Sequence, residues 1–141
     1  MRVLRGGCLC GAIEYEIRGA LGPIGNCHCE TCRRAHAAAF ATTARVAGHE
    51  FMWTRGETRL AAFESSPGKK RFFCPRCGSH LVAAWDHEQD VIVRIGSLYD
   101  DPGSRPVIDV WTEEKAPWFD LAADLPALPR GARRERREDP S

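Results

Sequence analysis

Arg71-Phe72-Phe73-Cys74-Pro75-Arg76-Cys77-Gly78-Ser79-His80-Leu81-Val82-Ala83-Ala84-Trp85 reads as a β-prone run, a turn carrying two cysteines, and a second β-prone run. Two cysteines three positions apart on a tight turn can both face one metal ion, but they supply only half of a tetrahedron. The stretch therefore calls for a second pair, and Cys8-Leu9-Cys10-Gly11 offers one. In both turns a glycine follows the second cysteine and is expected to relieve crowding where the backbone curls around the ion. Joining the pairs places Cys8, Cys10, Cys74 and Cys77 around one zinc, which clips the N-terminal strand to the middle of the chain. A closed four-thiolate site has no room for a substrate, so its expected role is structural.

Cys27-His28-Cys29-Glu30-Thr31-Cys32 then stands alone with three sulfurs. Three protein ligands plus an exchangeable fourth position is the pattern of a catalytic zinc. His36, four residues after Cys32, could share its helical face and close the site instead. His28 is expected to point away from its cysteine neighbours. A partition that swaps groups between sites would leave one pair without partners. The expectation is two zinc ions per chain, with Cys27, Cys29 and Cys32 as the reactive set.

Around these groups the pattern is mostly β. Ile13, Tyr15 and Ile17 alternate with charged residues, as a half-buried strand requires. Further strands are expected at 40–46, 51–53, 58–63, 71–73, 80–85, 91–95 and 107–111. Thr54-Arg55-Gly56-Glu57 reads as a hairpin turn between two of them. One short helix is expected over Glu30–Ala38. Four tryptophans, Trp53, Trp85, Trp111 and Trp118, are expected to pack in the core or line a pocket. Arg33 and Arg34 could meet a substrate carboxylate or simply be solvated. His80 could support the Cys74/Cys77 turn, and His49 and His87 are expected to be exposed in turns.

The chain has 141 residues, 43% hydrophobic and 28% charged, with a formal net charge of +1. That balance suits one soluble domain and argues against nucleic acid or a membrane surface as a partner. No run approaches the length of a membrane span, and the first residues lack the apolar stretch of a secretory signal. A cytoplasmic location is therefore expected, where thiols stay reduced and clustered cysteines point to metal rather than disulfides. The odd count of seven cysteines agrees. Residues 1–128 are expected to form the zinc-binding domain and 129–141, almost without apolar content, a disordered charged tail.

Gly7-Cys8-Leu9-Cys10-Gly11-Ala12-Ile13-Glu14-Tyr15, Cys27-His28-Cys29-Glu30-Thr31-Cys32-Arg33-Arg34, Phe73-Cys74-Pro75-Arg76-Cys77-Gly78-Ser79 and Lys115-Ala116-Pro117-Trp118 together resemble the glutathione-dependent formaldehyde-activating enzyme (GFA) family. That family shares its domain with centromere protein V. The resemblance implies a tent of packed β-hairpins with one short helix. It implies one zinc on Cys8, Cys10, Cys74 and Cys77 and a second on Cys27, Cys29 and Cys32. It also implies carbon–sulfur lyase chemistry, condensing glutathione with formaldehyde to S-hydroxymethylglutathione. Two positions depart from the family pattern. Ala37 stands where many members have glycine, and Asp109 where many have histidine.

A thiol entering an open fourth position would lose its proton and attack an aldehyde carbon. His28 and His36 are candidate bases by proximity alone. The alternative is a non-catalytic two-zinc structural or protein-interaction module. A fourth protein ligand on the second site would favour it.

Overall fold

The alternation of Ile13, Tyr15 and Ile17 is realised in a computed structural model that describes residues 2–131, and all three side chains are buried. The fold is mainly β, with ten strands in two sheets and one α-helix among the described residues. The chain packs as two compact units. One is built from Met1–Gly22 and Ala44–Arg105, the other from Pro23–Thr43 and the chain from Pro106 onward.

In the first unit, β1 (Leu4–Gly7), β2 (Glu14–Ile17) and β5 (Phe51–Arg55) form an antiparallel sheet in the order β1-β2-β5. Tyr15 is its hub. Its ring stacks on Phe51 at 5.0 Å and meets Trp53 edge-on at 6.0 Å, while its hydroxyl bonds Ser97 at 2.6 Å. A second antiparallel ladder runs through β6 (Ala61–Ser66), β7 (Lys69–Phe73), β8 (His80–Trp85) and β9 (Val91–Arg94) in sequence order. Leu81, Val82 and Ala83 are buried in succession, as in a strand covered on both faces.

The hairpin expected around Thr54–Glu57 does not form. Both flanking segments are strands, but β5 pairs with β2 and β6 pairs with β7. The aromatic packing of Phe51 and Trp53 on Tyr15 commits β5 to β2, and a single-turn 3-10 helix at Glu57–Arg59 leads the chain away. The hairpin of this region is instead the one between β6 and β7. Lys69 and Arg71 on β7 are buried, although their sequence reads as a polar edge. The Lys69 ammonium lies 5.4 Å from the Trp85 ring centroid and Arg71 Nε donates to Ser65 Oγ at 2.9 Å.

In the second unit, β3 (Ile24–Cys27) lies between β10 (Pro106–Val110), parallel to it, and the first half of β4 (Ala41–Val46), antiparallel to it. Helix α1 (Glu30–His36) follows β3 at once. It stops two residues short of the expected end because Ala37 turns into the left-handed region, at φ 51° and ψ 47°. The segment 126–130 runs beside β10 and its extension. Asp109 N–H donates to Pro126 O, Leu128 N–H to Asp109 O, Thr112 N–H to Leu128 O, Glu113 N–H to Pro129 O and Trp111 N–H to Arg130 O. The expected boundary at 128/129 falls inside this ladder. The rest of the expected tail, 132–141, lies outside the described residues. Trp118 departs from the core expectation, being 70% exposed, whereas Trp85 is buried.

Candidate metal centres

Cys8 and Cys10 lie on the turn between β1 and β2, and Cys74 and Cys77 on the turn between β7 and β8. The four sulfurs all lie within 4.8 Å of one another, and the group could hold a metal ion. The fit is close: a zinc–sulfur bond of about 2.3 Å gives a tetrahedral S···S edge of about 3.8 Å. The separations are 3.7 Å for Cys8–Cys10 and 3.8 Å for Cys10–Cys74.

Backbone geometry shapes each turn. Gly11 N–H donates to Cys8 O at 3.0 Å and Gly78 N–H to Cys74 O at 2.7 Å. Gly11 and Gly78 adopt φ of 79° and 80°, and a side chain at either would meet nothing within 4 Å. Glycine is therefore demanded here by backbone conformation and not, as expected, by crowding. Ser79, which sequence reasoning left without a role, joins the two turns. Its Oγ accepts from Leu9 N–H at 2.9 Å and lies 3.2 Å from Cys77 Sγ, so its own proton can point at that sulfur. The Ser79 hydroxyl is the first cause that pulls the Cys77 thiol down to about 5. The ring of His80, the other candidate support, stacks on Phe73.

A cleft of about 440 Å³ opens beside Cys10, with Arg55, Arg59, Arg76 and Glu14 on its walls. Four thiolates around a divalent cation would carry two negative charges. Three guanidiniums and one carboxylate supply two positive ones, so the wall balances the centre electrostatically.

The second group is assembled by one short segment. Cys27 ends β3, Cys29 is the N-cap of α1, and Cys32 sits in the first turn, where its N–H donates to Cys29 Sγ at 3.3 Å. The three sulfurs lie within 4.8 Å of one another and all three residues are buried. Neither His28 nor His36 joins them; among the described residues the group is three cysteines. The Cys27 thiol is pushed far up, first by contact with Cys29 and Cys32 and then by burial. Three thiolates packed this tightly call for a cation, which is the chemistry of a metal site.

His28 turns away as expected and is fully buried. Its Nε2–H donates to Asp109 Oδ1 at 2.9 Å, and Asn26 Nδ2 donates to the same oxygen at 3.3 Å. Asn26 Oδ1 in turn accepts from the Thr42 hydroxyl at 2.9 Å. The departure at Asp109 is thus the centre of a buried polar chain that holds Asn26 and His28, the residues on either side of Cys27. Phe40 and Phe119 pack against the His28 ring. Sequence patterning could not find this chain, because its members come from three separate strands and the Cys27–Cys29 link.

Arg33 and Arg34 hold the helix. Arg33 Nε donates to Glu114 O at 3.0 Å, and Arg34 pairs with Glu30 at 3.5 Å on the exposed face. Glu30 N–H donates to Glu114 Oε1 at 2.8 Å, which ties the start of α1 to the segment after β10. Val110 and Trp111 pack directly on the cysteine cluster. His49 and His87 are exposed, as expected.

The chain is similar over 72% of its length to a Rhodobacter sphaeroides protein of known crystal structure. The match covers 91% of that chain, with a TM-score of 0.57 and 24% identity, a likeness of fold. No curated protein matches the sequence. The model of the family described as glutathione-dependent formaldehyde-activating enzyme matches residues 3–114, which takes in all seven cysteines. With both cysteine groups assembled inside the matched stretch, the chain belongs to the glutathione-dependent formaldehyde-activating enzyme family.

Proposed function

We propose that the chain is a zinc-dependent enzyme of the carbon–sulfur lyase type that joins or splits a thiol and a small aldehyde, with glutathione and formaldehyde as the pair the family suggests. The observation that carries this reading is the inequality of the two sulfur groups. Four cysteines can close one site, while three buried cysteines, with no histidine nitrogen among them, leave a coordination position for a ligand from outside. When bound there, zinc supplies Lewis acidity, favouring the thiolate of an incoming thiol and drawing charge toward a carbonyl oxygen.

The chain's own residues do the rest. Cys27, Cys29 and Cys32 hold the ion, and the capped start of α1 fixes two of them. The addition is balanced without an oxidant: a C–S bond forms, the carbonyl π bond breaks, and the thiol proton ends on oxygen. His28, a candidate base by proximity, points its Nε2–H at Asp109, which leaves the ring's basic lone pair on Nδ1. Cys8, Cys10, Cys74 and Cys77 play the structural part. No helix among the described residues is long and apolar enough to cross a membrane. None of the seven cysteines is in a disulfide, and a reducing compartment such as the cytoplasm is the setting we propose.

Metal analysis and glutathione titration test the reading. Wild type should hold two zinc ions and bind glutathione at one of them. Cys29→Ser should keep the fold, lose one zinc and lose both thiol binding and thiol–aldehyde exchange. Serine is itself a good helix N-cap, so α1 survives and the loss reports on the metal. A second zinc with four protein ligands that no thiol displaces would sink the enzyme reading in favour of a two-zinc structural module.

A further inference from the structure

Two non-glycine residues among those described have positive φ, and both flank the three-cysteine group. Ala37 ends the helix that carries Cys32, and Trp111 packs on the cluster itself. Trp111 is the more unusual. A bulky side chain at φ 57° and ψ 39° is a genuine outlier, and such strain persists only where the surroundings over-determine it. The surroundings here are explicit. Trp111 N–H donates to Arg130 O at 3.1 Å, and Trp111 O accepts from Glu114 N–H at 3.1 Å. On either side, Asp109 and Thr112 are laced to Pro126 and Leu128. The strap 126–130 thus imposes a backbone conformation that glycine would adopt without cost, yet the position carries the largest side chain available.

Trp111 is half-buried and packs against the buried cluster formed by Cys27, Cys29, Cys32 and Ala41. We propose that Trp111 is the specificity-determining wall of the three-cysteine site: it limits the size of the aldehyde or thiol that reaches the reacting position, and the strap 126–130 keeps it there against its backbone preference. This rests on the reading of that site as the open, reactive one. A rigid aromatic wall suits a one-carbon aldehyde, because excluding larger carbonyls needs shape and not hydrogen bonding.

The test compares Trp111→Ala, Trp111→Gly and Trp111→Phe in the zinc-loaded protein. The first readout is the rate at which each zinc passes to a chromophoric chelator, which needs no activity. Ala and Gly variants should keep two zinc ions and release the second several-fold faster, with release of the first unchanged. Phe should restore slow release. The Gly variant, relieved of backbone strain, should melt higher than the Ala variant. The second readout is the ratio of kcat/KM for formaldehyde over acetaldehyde, which should fall about tenfold in Ala and Gly. Unchanged release of the second zinc overturns the proposal. So does equal acceleration of both zinc ions, which marks a merely structural residue, or failure of all three variants to fold. If wild type shows no thiol–aldehyde activity, the function proposed above fails, while the chelator readout still decides whether Trp111 walls the site.

Discussion

At the scale of single residues, the energetics turn on backbone signs and buried partners. Ala37 sits in a left-handed conformation that costs a non-glycine residue about 1–2 kcal/mol. Ala37→Gly removes that cost but frees the unfolded chain, which returns about 0.4–1 kcal/mol. The net gain should lie between about 0 and 1.6 kcal/mol, a rise of up to a few degrees in melting temperature measured on the zinc-loaded protein. Gly78→Ala should act in the opposite sense by a comparable amount, through its φ of 80° alone, since no atom lies near the added methyl. Asp109 is the other decisive residue. It accepts hydrogen bonds from His28 and Asn26 in a buried setting. Asp109→Ala leaves both donors unsatisfied, at about 1–3 kcal/mol each. The variant should melt well below wild type, with Asp109→Asn intermediate because it keeps one acceptor oxygen.

At the scale of elements, turns and straps hold more than their lengths suggest. The β1–β2 and β7–β8 turns meet through four sulfurs and Ser79. A structural zinc contributes about 10–16 kcal/mol to folding at neutral pH, comparable with the whole stability of a domain. Cys74→Ser should therefore unfold or aggregate, and a variant that keeps its melting temperature and zinc content would refute the structural role. The C-terminal segment invites a paired truncation. Ending the chain after Gly131 should leave melting and zinc content unchanged, because the removed residues offer almost no apolar surface to bury. Ending it after Asp124 removes five backbone hydrogen bonds to residues 109–113. At about 1 kcal/mol each, that should destabilise the second unit by several kcal/mol. Circular dichroism melts of the two truncations check both.

At the scale of the whole molecule, each compact unit contains one sulfur group, so metal removal should proceed in two stages. A chelator should take the three-cysteine zinc first with little change in far-UV dichroism, and the four-cysteine zinc later with loss of the fold. Simultaneous loss of both would show that the sites are not independent. The grouping of the cysteines into four and three was readable from spacing plus elimination, because cysteines two to five residues apart on short turns stay together wherever the chain goes and the two isolated pairs each need a partner. The β2 strand was equally readable, since a period of two in Ile13, Tyr15 and Ile17 has one structural meaning. Strand partners were not: β5 chose β2 over β6 through aromatic contacts between residues far apart in sequence. Nor could the sequence show that Asp109 bonds His28, that Trp111 packs on the cysteine cluster, or that residues 126–130 hydrogen-bond along 109–113. Spacing determines which groups can act together within one turn of chain. Only the packing of distant strands decides what surrounds them, because burial, strain and hydrogen-bond partners arise from contacts that local sequence does not encode.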